Sequence, residues 1–328
     1  MPQLTRKRPA RQTRLLTPVF SMLLLLALSP AAGAQNDNEG TWRIYYEPTR
    51  DRVQLSFEHY ENGSRRHGMT SFGVRPTELR GLPTSQLSSY NGPVRFQLVR
   101  DAGTFNFEGE MRDGHGTGFF TFAPDSRFQQ QLASRGYERP TTDQQFWLAL
   151  HDINYAMLDE MRRQGYDRPS VDQLVVMGMH GANYDYMKSL SDAGYRVGST
   201  YQLVTLRDHG VDERFIRGLN DAGYKNLSLE DLRELRDHGV TPDFIAALRK
   251  FGFTNLTTNQ LLTARDHGVT ESFIEDFREI GYNDVTLREF VMMRDHGVTP
   301  GFARLMRDKY GRSLGVNELT RRRDTGDY

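Results

Sequence analysis

Residues 223–252 read GYKNLSLEDLRELRDHGVTPDFIAALRKFG, and the glycine that opens the stretch returns 29 residues later. The same spacing relates Gly136, Gly165, Gly194, Gly223, Gly252 and Gly281, and Gly311 follows after one inserted residue. A period of this length marks a tandem array whose units bury their apolar faces on one another, not a single closed core. Counting each glycine as position 0 turns the array into columns. Position 5 is always hydroxylic (Thr141, Ser170, Ser199, Ser228, Thr257, Thr286), and position 8 is Gln, Asp or Glu (Gln144, Gln173, Gln202, Asp231, Gln260, Glu289). That pairing is a capping box, in which the hydroxyl takes the third amide of a helix and the third side chain reaches back. A first helix, A, therefore starts after position 5.

Glycine at position 16 (Gly181, Gly210, Gly239, Gly268, Gly297) ends helix A, because only glycine enters the left-handed cap conformation without steric cost. An apolar residue follows, then Asn, Asp or Thr at position 18, with Pro242 and Pro300 at the first turn of a second helix, B. The stripe of helix B falls at positions 21, 22 and 25, as in Phe244, Ile245 and Leu248. Position 1 is aromatic in every copy (Tyr137, Tyr166, Tyr195, Tyr224, Phe253, Tyr282) and reads as part of the seam between copies. Helices this short do not persist alone in water, so each pair must pack on its neighbours. Six helix pairs are expected over 136–310, with 311–328 a partial repeat and polar tail.

Residues 40–125 follow a different period. Thr41–Tyr46, Val53–Tyr60, His67–Val74, Val94–Arg100, Thr104–Met111 and Gly116–Phe122 alternate apolar and polar side chains, with Asn62-Gly63, Asp101-Ala102-Gly103 and Asp113-Gly114 as turns. Short connections favour antiparallel pairing, so the segment predicts a meander forming a small sandwich or half-barrel, with Pro83 to Pro93 its longest loop. The fold class is α+β, a β-domain followed by an α-solenoid. Copies three to six carry Arg-Asp at positions 13 and 14, whereas the first has Ala149-Leu150 and the second Gly178-Met179. Phe146, Trp147 and Leu150 mark the first pair as the unit that docks on the β-domain.

Residues 1–34 carry Arg6, Lys7, Arg8, Arg11 and Arg14, an apolar run from Met22 to Leu28, and Ala32-Gly33-Ala34 before Gln35. This is the pattern of a secretory signal peptide cleaved after Ala34. The alternative is an uncleaved anchor, although the run is shorter than the roughly 20 residues of a membrane span. Cleavage would leave 37 basic against 42 acidic residues, which argues against nucleic acid as a partner. Cysteine is absent, which removes disulfides and thiolate chemistry. A periplasmic or secreted protein without a membrane span after cleavage is expected.

Six of the nine histidines stand at position 15: His151, His180, His209, His238, His267 and His296. A metal reading fails on spacing, because equivalent residues of adjacent copies lie roughly 10 Å apart, whereas zinc ligands converge to about 2 Å. His209, His238, His267 and His296 are read instead as complementing the helix dipole or bonding a free carbonyl at the cap. The Arg-Asp pairs suggest an ionic row between copies. Asp113 to Gly118 reads as a hairpin and not a phosphate cradle, and Glu108 and Glu110 read as solvated. No catalytic, cofactor or metal residue is assigned, since no HExxH, nucleophile elbow or Walker sequence occurs.

The unit Arg-Asp-His-Gly-Val-Thr-Pro at 236–242 and 294–300, with Gly-Tyr and a capped leucine helix around it, resembles repeats of antirepressor-type sensor metallopeptidases, relatives of the β-lactam sensors. Arg100-Asp101-Ala102-Gly103-Thr104-Phe105 and Gly116-Thr117-Gly118 look like the strand-rich segment that precedes those repeats. The likeness spans residues 94–310 and lacks both the membrane helices and the zinc-binding sequence, so no catalytic residue is carried over. It implies an exported accessory module working with a membrane sensor. The expectation is a non-catalytic protein-interaction module with a protein partner. The alternative is a glycan-binding or hydrolytic protein using Trp42, Tyr45 and Tyr46 of the β-domain.

Overall fold

The structure is a computed structural model that describes residues 38–327, apart from 48, 50 and 61–66. The leader expected over 1–34 and the Asn62-Gly63 turn lie outside these residues. Strands β1 (Glu39–Tyr45), β2 (Val53–Tyr60), β3 (His67–Val74), β4 (Leu79–Arg80), β5 (Gly92–Arg100), β6 (Gly103–Arg112) and β7 (His115–Pro124) form one antiparallel sheet. Its order, β3-β2-β1-β7-β6-β5-β4, joins two meanders through the β1–β7 pair and curls into a half-barrel. Asp113 and Gly114 take φ of 48° and 81°, the two left-handed positions of a type I′ turn, and Arg112 pairs with His115 across it.

Alternation puts one set of side chains inside the curl. Phe96 pairs with Phe107, Phe107 with Phe120 and Phe105 with Phe122, while Trp42 stands edge-on to Phe96 and Phe107. The Trp42 indole donates to the carbonyls of Glu108 and Phe119 at 3.2 and 3.1 Å. A Cβ on Gly116 would come within 2.8 Å of that ring, so the glycine-rich strand serves close packing. The stretch expected as a long loop instead contains helix α1 (Thr84–Ser89), whose Leu87 is fully buried along with nearby Leu82. Its polar, serine-rich sequence hides a single apolar anchor, which is why no helical period shows.

The array starts one helix earlier than position counting suggests. Helix α2 (Ser126–Ser134) is capped by Asp125 and buries Phe128 and Leu132, which are positions 18, 21 and 25 of a copy whose first half is the last strand. Pairs then follow: α3 (Thr142–Leu150) with α4 (Tyr155–Gln164), α5 (Val171–Met179) with α6 (Tyr184–Asp192), and α7 (Thr200–Asp208) with α8 (Glu213–Asp221). The later pairs are α9 (Leu229–Asp237) with α10 (Pro242–Lys250), α11 (Thr258–Asp266) with α12 (Glu271–Glu279), and α13 (Leu287–Asp295) with α14 (Pro300–Tyr310). The segment read as a partial repeat and polar tail is a further A helix, α15 (Val316–Thr325), packed on α13. No helix among the described residues is long and apolar enough to cross a membrane.

The caps fall where the columns place them. Ser199, Ser228, Thr257 and Thr286 each accept the third amide of their helix, and all but Ser199 complete the reciprocal capping box. Gly210, Gly239, Gly268 and Gly297 hold φ of 70°, 70°, 71° and 63° one residue beyond the helix cap. The aromatic column lies in the seam: the hydroxyls of Tyr224 and Tyr282 donate to Leu256 and Leu314, carbonyls of the following copy, at 2.8 and 2.9 Å.

The candidate cleft where the sheet meets the repeats

The Arg-Asp-His-Gly unit is a joint between copies, with a partner for each residue. His209 and His238 meet Asp237 and Asp266 of the next copy through Nδ1 at 2.5 and 2.6 Å, and His267 meets Asp295 in the same way. His296 reaches Asp324 of α15 at 2.8 Å, and His180 reaches Asp208 at 2.8 Å. These histidines occupy the cap residue of each A helix, but their rings face a carboxylate of the neighbour, not the carbonyls of their own helix. Their place at the helix C-terminus is as expected, but Nδ1 goes to a carboxylate and not to a free carbonyl, since a charged acceptor one copy away outcompetes a neutral carbonyl for the ring.

The ionic row is corrected as well. The aspartate is engaged by histidine, and the arginine before it lies over an aromatic ring at position 21 of the preceding copy. Arg236 covers Phe215 at 5.1 Å, Arg265 covers Phe244 at 5.3 Å, and Arg294 covers Phe273 at 3.9 Å. Such contacts contribute about 0.5–2 kcal/mol each, depending on exposure. Glycine at position 16 leaves the arginine its path, since a Cβ on Gly239 would already touch Arg265 Nε at 3.4 Å.

The joint is dismantled between the first and second copies. Position 21 of the first is Met157, without a ring, and the facing arginine is replaced by Gly178. Met179 stands where the aspartate belongs, so His151 is the histidine of the column without that partner. Gly178 is required here, because a Cβ on it would lie 2.6 Å from the Cβ of His151. Asp152 fills the glycine position and keeps the left-handed backbone at φ 54°, a conformation that costs a side-chain-bearing residue roughly 1–3 kcal/mol.

The β-domain supplies what the missing joint does not. Phe146 of α3 inserts among Phe105, Phe120 and Phe122 at 5.3, 6.1 and 5.5 Å, as its sequence position leads one to expect. Gln145 takes a place that is leucine or phenylalanine in the later copies and is fully buried. It donates to the carbonyls of Ala102 and Asp125 at 2.9 and 3.0 Å and accepts from Gln129 at 2.6 Å. The β5–β6 turn clamps the same unit: Asp101 caps α4 by accepting the Tyr155 amide at 2.8 Å, and Arg100 turns toward Asp152.

Between these parts lies a cleft of about 280 Å³, walled by Thr70 to Gly73 of β3 on one side and by Gly178, Met179 and Gly181 on the other. Arg100, His151 and Asp152 line it, and Arg52, Arg75 and Asp185 also face it. Burial lowers the His151 imidazole to about 4, so the ring is neutral near pH 7. Burial raises the Asp152 carboxyl against the pull of Arg100. Burial also pushes Glu78 up, but bonds from the Arg100 side chain and the Arg75 amide outweigh it and hold the carboxyl below its usual value. Arg100 Nε and His151 Nε2 are buried without a hydrogen-bond partner. A larger hollow of about 710 Å³ between α8 and α10 is the ordinary groove between neighbouring B helices, and its Asp212 is already committed to capping α8.

Sequence reasoning missed Arg100, Gln145 and Asp152. The signal lay in departures from the columns, an amide among leucines and an aspartate among glycines. Trp42, Tyr45 and Tyr46 do not share an open surface: Trp42 is inside the sheet, while Tyr45 is exposed and tilts on His115 at 5.1 Å. Among the described residues no three of His, Asp and Glu converge as a metal site would need. No family model, curated protein or solved structure matches the chain.

Proposed function

We propose that this chain is an exported, non-catalytic interaction module that binds a protein partner along the first copies of its array, as an accessory to a membrane sensor or another envelope process. One observation carries the reading. Positions 7, 11 and 14 form a single stripe on the outer face of each A helix. In the fourth copy the stripe is Glu230, Glu234 and Asp237, and in the fifth Asn259, Thr263 and Asp266. Near the β-domain it is Asp172, Val176 and Met179 in the second copy and Tyr201, Thr205 and Asp208 in the third, which puts three large apolar side chains on the surface, with Val176 46%, Met179 57% and Tyr201 79% exposed. No element among the described residues covers these three, and grouped apolar side chains at one place on a surface mark interaction sites.

Signal-type residues before Gln35 and the resemblance to sensor-associated repeats support export and an envelope role. The glycan-binding or hydrolytic alternative draws less support, because the indole it relied on is committed to the sheet core. A photo-crosslinking amino acid at position 201, with a control at the equivalent position 259, tests the proposal in the exporting cell. Position 201 is expected to give one discrete protein adduct and 259 none. Adducts at neither position, or the same set from both, would remove the reading.

A further inference from the structure

The cleft lies beside an edge of the sheet. Strand β3 is an edge, eight residues long, and its sequence HGMTSFGV holds no lysine, arginine, acid or proline. Proteins guard such edges with those residues or keep them short, and an unguarded edge pairs with an added strand. The opposite edge is guarded in the second way, since β4 is two residues long. Among the described residues no strand lies beyond β3. Its last residues, Thr70 to Gly73, form the wall of the cleft.

The groups lining the cleft specify what enters it. Arg100 donates through Nη1 to Glu78 at 2.6 Å, but its Nε is 3.6 Å from Asp152 Oδ1, too far for a hydrogen bond. The Arg100 side chain is 11% exposed, so water reaches it poorly, and a buried donor left unpaired costs about 1–3 kcal/mol. His151 Nε2 is unpaired beside it. The acids present are largely engaged: Glu78 accepts from Arg75 and Arg100, and Asp152 bonds the Asn154 side chain. Arg52 donates to the Gly73 carbonyl at 3.1 Å and Arg75 pairs with Glu78 at 3.2 Å, and the remaining N–H groups of these two guanidinium ions stand against the exposed Asp185. Unspent donors thus exceed unspent acceptors, and an anionic acceptor answers them with charge-assisted bonds.

We propose that the free edge of β3 takes an extended strand from a protein partner, antiparallel or parallel, and that a carboxylate of that strand enters the cleft to accept from Arg100 and His151. Main-chain pairing along Thr70 to Gly73 supplies affinity, and the carboxylate supplies selectivity. The second copy lacks the arginine and aspartate of the later joints, and Met179 adds no charge to the cleft wall, where an aspartate would set a like charge against an incoming carboxylate. This site rests on the interaction reading given above and narrows it to one class of partner segment.

The full chain is titrated, by fluorescence anisotropy, with a labelled eight-residue peptide of alternating threonine and valine ending in glutamate with a free carboxylate. The comparison peptide ends in glutamine amide. The acid peptide is expected to bind at least about tenfold more tightly than the amide, about 1.4 kcal/mol. Its addition should protect from hydrogen exchange the alternate amides within Thr70–Gly73 that face away from β2. Met179→Asp restores the aspartate of the other copies at an exposed position, so it should leave the melting temperature intact and reduce acid-peptide binding at least about tenfold. Leu305→Asp, at the far end of the array, should leave binding as it is. Equal affinity for the two peptides, or binding indifferent to Met179→Asp, overturns the cleft assignment. Failure of both peptides overturns the strand site, and a concentration-dependent dimer lost in Met179→Asp would give the edge to a second copy instead. Crosslinking from position 201 that persists while peptide binding fails would sink this site alone and leave the interaction module standing.

Discussion

His151 sits in its copy where five other histidines sit in theirs, and it is the one whose neighbour offers methionine in place of aspartate. Its burial beside Arg100 and Asp152 has a consequence for acid stability. The folded ring is held near 4, whereas an unfolded histidine titrates near 6.5, so the unfolded chain binds the proton first. Stability from this residue is complete above about pH 6.5 and drains away as pH falls toward 4, in total on the order of 3 kcal/mol. Burial alone accounts for the lowered value, and Asp152 beside it in sequence is itself held toward its neutral form. Urea midpoints measured from pH 7 to pH 4 should therefore fall more steeply for the natural chain than for His151→Asn. Parallel curves for the two would show that the ring is solvated after all.

At the scale of the element, the unit that must stay whole is one pair with its joint. Deleting 223–251 removes one complete copy and lets His209 meet Asp266 in place of Asp237, so the shortened protein should fold cooperatively with near-proportional helicity. Deleting 223–237 removes the whole of one A helix, α9, and leaves α10 to bury Phe244 and Ile245 without it. Circular dichroism melts should show the first deletion folded and the second broad or aggregated; similar melts would mean the period is not the structural unit. Helices were legible because their caps and stripes recur six times, and recurrence averages out the ambiguity of a nine-residue segment. Strands β2 and β3 were legible to the residue from alternation alone. Helix α1 was not, because one buried leucine carries no period, and α2 was hidden because only its second half resembles a copy. The joint was half legible: the types Arg, Asp and His stood in columns, but their partners are 21 and 28 residues away, and side-chain reach across a seam is not written in a one-dimensional period.

The described residues hold the sheet and the array together chiefly through α3, and this is where one truncation should divide them. Phe146→Ala empties the space between Phe105, Phe120 and Phe122, a loss of about 3–5 kcal/mol for a buried aromatic ring. The two tryptophans report separately, since Trp42 lies in the sheet and Trp147 flanks the junction. Urea titration of the natural chain should give coincident fluorescence and circular dichroism transitions, and Phe146→Ala should lower the midpoint and separate the two. An unchanged, coincident transition would place the coupling elsewhere. The candidate cleft belongs to this scale too, which is why sequence reading did not find it: its walls come from residues 52–78, 100 and 150–185, and only the fold brings them to one place.

Helix α15 carries Arg323 and Asp324, which reach back to Phe302 and His296, but Thr325 stands where every earlier copy has histidine. Each joint is thus directional, with a hook facing one way and an eye facing the other, and the last copy has no eye to offer. A gene that duplicates an internal copy adds a unit already fitted at both faces and lengthens the molecule by roughly 10 Å without altering any existing contact. A unit after Gly326 would pack without the histidine–aspartate contact, as the second copy packs on the first. The reach of this protein is therefore an easily inherited variable in the middle of the array, and relatives of different length should differ by whole copies inserted there.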